Sequence, residues 1–172
     1  GRVLEPSYSP WATYPVLTRK KTGAWRITSD FRRLNAVAVP DAYEMEELST
    51  VTQWLVARRI FLLVDLRDGL FQVPLDPEVR HLTATRTALG LVQYCRMPQG
   101  LRNSPATLQR VLSGILGKER VISTIAYMDD LTAASDNVEQ HIEHIDSLLT
   151  RLYEAGVRLL LEKCAFGVDQ LD

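Results

Sequence analysis

An α+β fold, an antiparallel sheet with helices packed on one face, is what this sequence predicts. Three observations point there. From Ile60 onward the elements run strand, strand pair, helix, hairpin, helix, strand, an order that implies antiparallel pairing. Two apolar runs of strand character end abruptly in acidic residues, at Asp65 and at Asp129-Asp130. Two later stretches carry apolar residues at helical spacing, and each is closed by a glycine.

The first third opens with a Pro-punctuated segment, Pro6 to Pro15, followed by two short strands. Val16 to Lys20 and Trp25 to Thr28 flank Lys21-Thr22-Gly23-Ala24, which has hairpin-loop composition. Between Glu46 and Arg58, Leu48, Val51 and Leu55 recur at helical spacing and predict a surface helix. Ile60 to Val64 is a continuous apolar run; Asp65 ends it, and Arg67-Asp68-Gly69 supplies turn chemistry. Leu82 to Thr87 and Leu91 to Met97, joined through Leu89-Gly90, form the strand pair. Ser104 before Pro105 opens a helix as N-cap and first-turn residue, with Leu108, Val111, Leu112 and Ile115 inward and Gly117 as its stop. Val121 to Met128, rich in β-branched residues, leads through Asp129-Asp130 into the apolar strand Leu131 to Ala134, a hairpin with two carboxylates at its tip. Asp136 with Glu139 resembles a capping box ahead of the stripe Val138, Ile142, Ile145, Leu149 and Leu152, which Gly156 ends. Val157 to Leu161 closes the pattern as a strand.

Composition narrows the class. The 172 residues, 46% hydrophobic and 24% charged, match an average globular domain and argue against disorder. No apolar run approaches the roughly 20 residues that a bilayer requires, so no membrane role is expected. Net charge is -1, and a nucleic-acid role therefore needs a local patch. One exists: Arg19, Lys20, Lys21, Arg26, Arg32 and Arg33 fall within fifteen residues, opposed only by Asp30, although a solvated basic face would look the same. Cys95 and Cys164 are far apart and read as reduced packing residues; His81, His141 and His144 offer no zinc-ligand pattern.

The carboxylates carry the chemistry. Asp65, Asp129 and Asp130 stand immediately beyond apolar strands, where a stiff sheet can hold them at fixed separation on its uncovered face. Two Mg²⁺ ions roughly 3.5 to 4 Å apart activate a hydroxyl and stabilise a leaving phosphate oxygen, and they take hard oxygen ligands of this kind. Asp is also common in turns, so the dipeptide alone reads equally as a polar turn.

The flanking residues add a resemblance. Tyr127-Met128-Asp129-Asp130 between apolar strands is similar to the signature hairpin of reverse transcriptases. Trp25-Arg26 and Asp30-Phe31-Arg32-Arg33-Leu34-Asn35 resemble that family's fingers block, Asp65-Leu66-Arg67-Asp68-Gly69 its first metal-binding block, and Met97-Pro98-Gln99-Gly100-Leu101 with Ser104-Pro105-Ala106 its template and nucleotide-contact block. Ser9-Pro10-Trp11-Ala12, Lys163-Cys164 and Phe166-Gly167 look like the long-terminal-repeat retrotransposon branch of gypsy type, with retroviral enzymes as close relatives.

This resemblance implies an RNA-directed DNA polymerase with partial fingers at 1–59, containing the β-hairpin, and a palm at 60–172, the fingers returning at about 76–97. It implies that Asp65, Asp129 and Asp130 bind two Mg²⁺ ions, with Mn²⁺ as an alternative. Lys20, Lys21 and Arg26 would neutralise the incoming dNTP, backbone N–H groups of Asp68 and Gly69 would hold its far end, and Gln99 would position nucleotide and template. Tyr127, Met128, Arg32 and Arg33 would touch RNA or DNA template and primer. The setting implied is intracellular, in cytoplasm, virus-like particle or nucleus. Thumb, connection and RNase H segments are not found in the sequence, so the isolated chain is expected to be feeble and to work with those domains in a longer polypeptide.

Two positions depart from the pattern. Leu70 stands where the family has an aromatic ring under the sugar, which implies weaker rejection of a 2′-hydroxyl. Tyr43-Glu44-Met45-Glu46 replaces a proline-containing stretch. A retired palm kept as a nucleic-acid-binding or protein-interaction module is the competing reading. Against it, adjacent carboxylates repel one another unless a cation sits between them. An RNA-directed RNA polymerase would share the metal chemistry without the fingers block.

Overall fold

The computed structural model describes residues 2–19, 23–43, 48–56, 58–117, 124–127 and 130–170. The chain divides into two compact units, one from Gly1–Asp41 and Leu70–Pro105, the other from Ala42–Gly69 and Ala106–Asp172. Helix and antiparallel sheet are mixed, as the sequence predicts. Among the described residues no helix is long and apolar enough to cross a membrane.

The first unit holds two small sheets. Strands β2 (Pro15–Arg19) and β3 (Trp25–Ser29) form the predicted hairpin. Strand β1 (Leu4–Pro6) pairs with β6 (Gly90–Tyr94), which also pairs with β5 (Thr85–Thr87). The predicted strand pair is thus shorter than expected and belongs to this three-stranded sheet. Its first two residues, Leu82 and Thr83, lie instead in a 3-10 turn, Arg80–Thr83, in which Thr83 Oγ1 donates to the Arg80 carbonyl at 2.7 Å. Thr13 stitches hairpin to sheet: its N–H donates to Ala84 O, and its carbonyl accepts from Arg86 N–H. A short helix α1 (Arg32–Val37) follows the hairpin. Beneath it the buried Phe31 packs edge-on against Tyr94 at 6.1 Å between centroids.

The second unit is organised on one four-stranded antiparallel sheet in the order β7-β8-β4-β9. Its strands are β4 (Ile60–Asp65), β7 (Thr124–Tyr127), β8 (Asp130–Ser135) and β9 (Ala165–Val168). The register of β4 on β8 pairs Ile60, Leu62 and Val64 with Ser135, Ala133 and Leu131, and pairs Phe61, Leu63 and Asp65 with Ala134, Thr132 and Asp130. Since successive residues point to opposite faces, the first set shares the helix-covered face and the second set shares the other. Leu62 and Leu131 are both 0% exposed there.

The remaining helices among the described residues are α2 (Leu48–Val56), the one-turn α3 (Gly69–Gln72), α4 (Ser104–Leu116) and α5 (Val138–Glu154). The stripes of the two long ones differ from expectation. In α4, Leu108 and Leu112 are buried, but Val111 is 39% exposed and Gln109 is buried instead. In α5, Val138 and Ile142 are 58% and 62% exposed, and the buried line runs through His141, Leu148 and Leu152. The N-cap of α5 is Asn137, whose side chain accepts from Gln140 N–H at 2.9 Å, while Asp136 pairs with Arg58 at 2.6 Å. The closing strand is also displaced. Within Val157 to Leu161 only Leu159 bridges, to Leu66; a 3-10 turn follows at Leu161–Lys163, and the sheet is completed by β9.

His141 is buried for a specific reason. The Ser135 hydroxyl lies 3.1 Å from His141 Nδ1 and 2.8 Å from His144 Nδ1. A hydroxyl has one proton, so it donates to one ring and accepts from the other. His141 Nε2 is buried with no hydrogen-bond partner among the described residues. An unpaired acceptor is better tolerated than an unpaired N–H, so His141 carries its proton on Nδ1 and gives it to Ser135, which donates to His144. Burial, then the neighbouring His144, push the His141 pKa below its ordinary value of 6.5. A base held neutral in the fold stabilises fully above the unfolded value and loses that contribution as pH falls toward the folded one. Stability, and with it the melting temperature, is therefore expected to drop on acidification below about pH 6.5, the free energy by at most about 1.4 kcal/mol per pH unit. Thermal melts of His141→Leu should show a flatter acid limb.

Candidate active site

The site follows from the sheet. Strand β4 is central and apolar up to its last residue, and the register places Asp65 directly across from Asp130 on the face away from the helices. Opposed residues in such a pair have Cβ atoms roughly 4.5 to 5.5 Å apart, so two carboxylates are held side by side. Asp130 is at the same time the register partner of Tyr127 in β7. Asp129, Met128, Lys20 and Lys21 lie outside the described residues, as do parts of the predicted strand Val121 to Met128 and of the helix Glu46 to Arg58. Among the described residues no three His, Cys, Asp or Glu side chains gather as a metal cluster; the pair Asp65 and Asp130 is what this region contributes.

Three contacts fix the end of β4. The Asp65 carbonyl accepts from Leu160 N–H at 2.9 Å, Arg67 N–H donates to Arg158 O at 3.0 Å, and Leu66 bridges Leu159. The following turn delivers Lys163, whose Nζ donates to Asp65 Oδ2 at 3.0 Å. Although Asp130 keeps solvent access, partial dehydration of its carboxyl and then the charge of Asp65 push its pKa above the ordinary carboxylate value, with Lys163 opposing. The Lys163 ammonium is shifted upward by its hydrogen bond to Asp65 and by that carboxylate's charge.

Buried polar groups steady this end of the sheet from behind. Gln109 in α4 donates its amide to Ala126 O at 2.8 Å, so the strand leading to Tyr127 is tied along its outer edge. Asp68 follows with φ of 50°, a left-handed conformation uncommon for a residue with a side chain, directly before the buried Gly69.

The remaining candidates belong to the first unit. Arg26 is exposed on β3 opposite Thr18. Leu70 and Phe71 are half-buried in α3, where Phe71 stacks on Tyr94 at 6.2 Å. Gln99 sits in the turn before α4, and that turn is held by Asn35: its amide donates to Gly100 O, and its carbonyl accepts from Arg102 N–H, both at 2.8 Å. Gly100 has φ of 95°, and a Cβ there would meet the Phe31 ring and Ser29 O, so the turn packs directly against the hairpin. Arg32 is clamped by Asp30 through Nε at 2.9 Å and Nη2 at 2.6 Å, which lowers the Asp30 pKa to about 2. Arg32 and Arg33 line a shallow cleft with Tyr14 and Ala36.

Lys163, Asn35 and Gln109 are absent from the candidates that sequence reasoning names by role. Lys163 and Asn35 do occur inside the motifs it quotes; Gln109 had no local signal beyond being a polar residue on an apolar helix face.

The chain belongs to the reverse transcriptase (RNA-dependent DNA polymerase) family, whose model matches residues 18–172. It is 32% identical over 169 residues to the retrovirus-related Pol polyprotein from transposon 297 of Drosophila melanogaster, covering 95% of this chain and 16% of that protein. The Pol polyprotein from transposon gypsy of the same fly is also 32% identical, over 99% of this chain and 17% of that protein. The chain therefore spans about a sixth of the length of these relatives. Among solved structures, the prototype foamy virus protease-reverse transcriptase superposes with a TM-score of 0.87 at 26% identity, over 95% of this chain and 22% of that one. A foamy viral protease-reverse transcriptase in complex with double-stranded DNA shares the fold, with a TM-score of 0.90 at 24% identity over 98% of this chain and 30% of that one.

Proposed function

We propose that this chain carries the nucleotidyl-transfer centre of an RNA-directed DNA polymerase, which adds deoxynucleoside monophosphates from dNTPs to a primer 3′-hydroxyl on an RNA or DNA template. The observation that carries the reading is the Asp65 and Asp130 pair, facing each other at the end of an otherwise apolar sheet. Hard oxygen donors, close together and mutually repelling, fit divalent cations. Asp65 and Asp130, with Asp129, would hold two Mg²⁺ or Mn²⁺ ions. When bound, such ions supply Lewis-acid stabilisation of the attacking and leaving oxygens of an in-line displacement.

The chain's own residues do the rest. Arg26, with Lys20 and Lys21, would balance triphosphate charge, and the N–H groups at Asp68 and Gly69 would anchor its distal oxygens. Gln99, braced by Asn35, would set nucleotide against template, while Tyr127, Met128, Arg32 and Arg33 would meet the nucleic acid. Under this reading 1–59 and about 76–97 are fingers and the rest of 60–172 is palm; the compact units follow that division except that 42–59 falls in the second unit and 70–75 and 98–105 in the first. The relatives are Pol polyproteins of which this chain matches about a sixth, which supports further polymerase domains in a longer polypeptide; an intracellular setting belongs to the same reading. Primer extension by the protein that contains this chain, on RNA and on DNA templates, tests the assignment; a well-folded protein that binds nucleic acid and adds no nucleotide would mark it as a retired palm.

Leu70 bears on sugar selection. A leucine side chain is smaller than an aromatic ring and not planar, and so leaves more room for a 2′-hydroxyl. Leu70→Tyr is expected to raise the dNTP over rNTP preference by about tenfold or more, the scale of a modest steric difference in a pocket. Equal ratios of kcat/KM in the two proteins would remove Leu70 from sugar recognition.

A further inference from the structure

Lys163 is a cation in contact with a carboxylate assigned above to metal. Its Nζ reaches Asp65 Oδ2 at 3.0 Å; the lysine side chain is 62% exposed and that of Asp65 only 23%. Backbone hydrogen bonds place it there. Leu160 N–H donates to Asp65 O at 2.9 Å, and Lys163 N–H closes the turn onto Leu160 O at 2.9 Å, so the lysine is anchored within one turn of the strand it serves. The register adds the second carboxylate, since Asp130 stands opposite Asp65. A single lysine in this position faces two acidic groups that would otherwise repel each other.

An ammonium is a compact point charge on a flexible stem, and an exposed pair of this kind is weak. Those properties suit a contact made to be exchanged. We propose that Lys163 is a resident stand-in cation: it holds and neutralises Asp65 in the metal-free chain and is displaced when a divalent ion binds at Asp65 and Asp130. The inference rests on the assignment of those two residues as metal ligands. It adds that metal affinity is set partly by competition with the protein's own lysine, and it makes Lys163 a positioning residue that keeps the Asp65 carboxylate oriented before metal arrives. The long side chain, freed on displacement, stays tethered beside the site by its anchored backbone.

The test is Mn²⁺ binding to the full chain, followed by the electron paramagnetic resonance signal of free Mn²⁺, together with thermal melts in chelator and in Mn²⁺. Lys163→Met is expected to bind Mn²⁺ about 1.5- to fivefold more tightly than the parent, the span set by loss of one exposed ion pair. It should also melt lower than the parent in chelator and gain more from Mn²⁺. Lys163→Arg keeps the charge and the reach to Asp65, and should change Mn²⁺ affinity by less. Unchanged or weaker Mn²⁺ binding in Lys163→Met, or an equal gain in both variants, overturns the competition. If Mn²⁺ binding is itself unaffected by Asp65→Asn, the ligand assignment fails and the inference falls with it.

Discussion

Replacing Asp65 with asparagine is expected to cut primer extension by about a thousandfold or more while leaving the fold in place. Asparagine matches the carboxylate in shape, and the contact that fixes the strand end, Leu160 N–H to Asp65 O, is made by the backbone and survives. What is lost is the charge. About 4 kcal/mol of transition-state stabilisation corresponds to a thousandfold in rate, within the range of a misplaced catalytic cation. Stability should scarcely move, because the substitution removes both the attraction of the exposed Lys163 and the repulsion of Asp130. Single-turnover extension and a thermal melt on the same preparation separate the two effects. Activity within tenfold of the parent would exclude Asp65 from the chemistry.

The largest effect on stability is expected at Leu62. It is fully buried at the centre of β4, with Ala133 as its neighbour on one strand and Phe166 on the other. Leu62→Ala removes three carbons from a close-packed interior, and both flanking strands constrain how far the gap can close. A cost of about 2 to 5 kcal/mol follows, a large share of the stability of a domain this size. With urea slopes of roughly 1 to 3 kcal/mol/M, the denaturation midpoint should fall by about 1 M or more. The half-buried Leu63, one residue further and on the opposite face, should be milder when truncated. Equal costs at the two positions would contradict the pleat described for β4.

These elements were legible in the sequence to unequal degrees. The apolar run at Ile60 and the Thr124 to Ser135 hairpin announced themselves because a sheet strand must be apolar wherever helices cover it, and the carboxylates at its end break that rule visibly. The α5 stripe meets the core only in part: Leu152 is buried as the spacing predicts, apolar Val138 and Ile142 are exposed, and the polar His141 goes in because Ser135 satisfies it. No local pattern carries that information, since the partner lies on a different element. Strand β1, three residues ending in proline, is too short to register, and Val157 to Leu161 has strand composition but a different tertiary use. Lys163 is the sharpest case. It meets Asp65 across 98 positions of sequence, and its role follows from the turn that carries it, not from its neighbours.

The alternation of β4 and β8 has a consequence for how this region tolerates change in length. One residue inserted within either strand would send every side chain beyond it to the opposite side, burying an acid among leucines and presenting leucine to water. An insertion or deletion in either stretch therefore costs the fold more than most single substitutions there would. Permissible lengthening is left to connectors such as the exposed Thr87–Gly90 bend, where no carboxylate depends on counting parity.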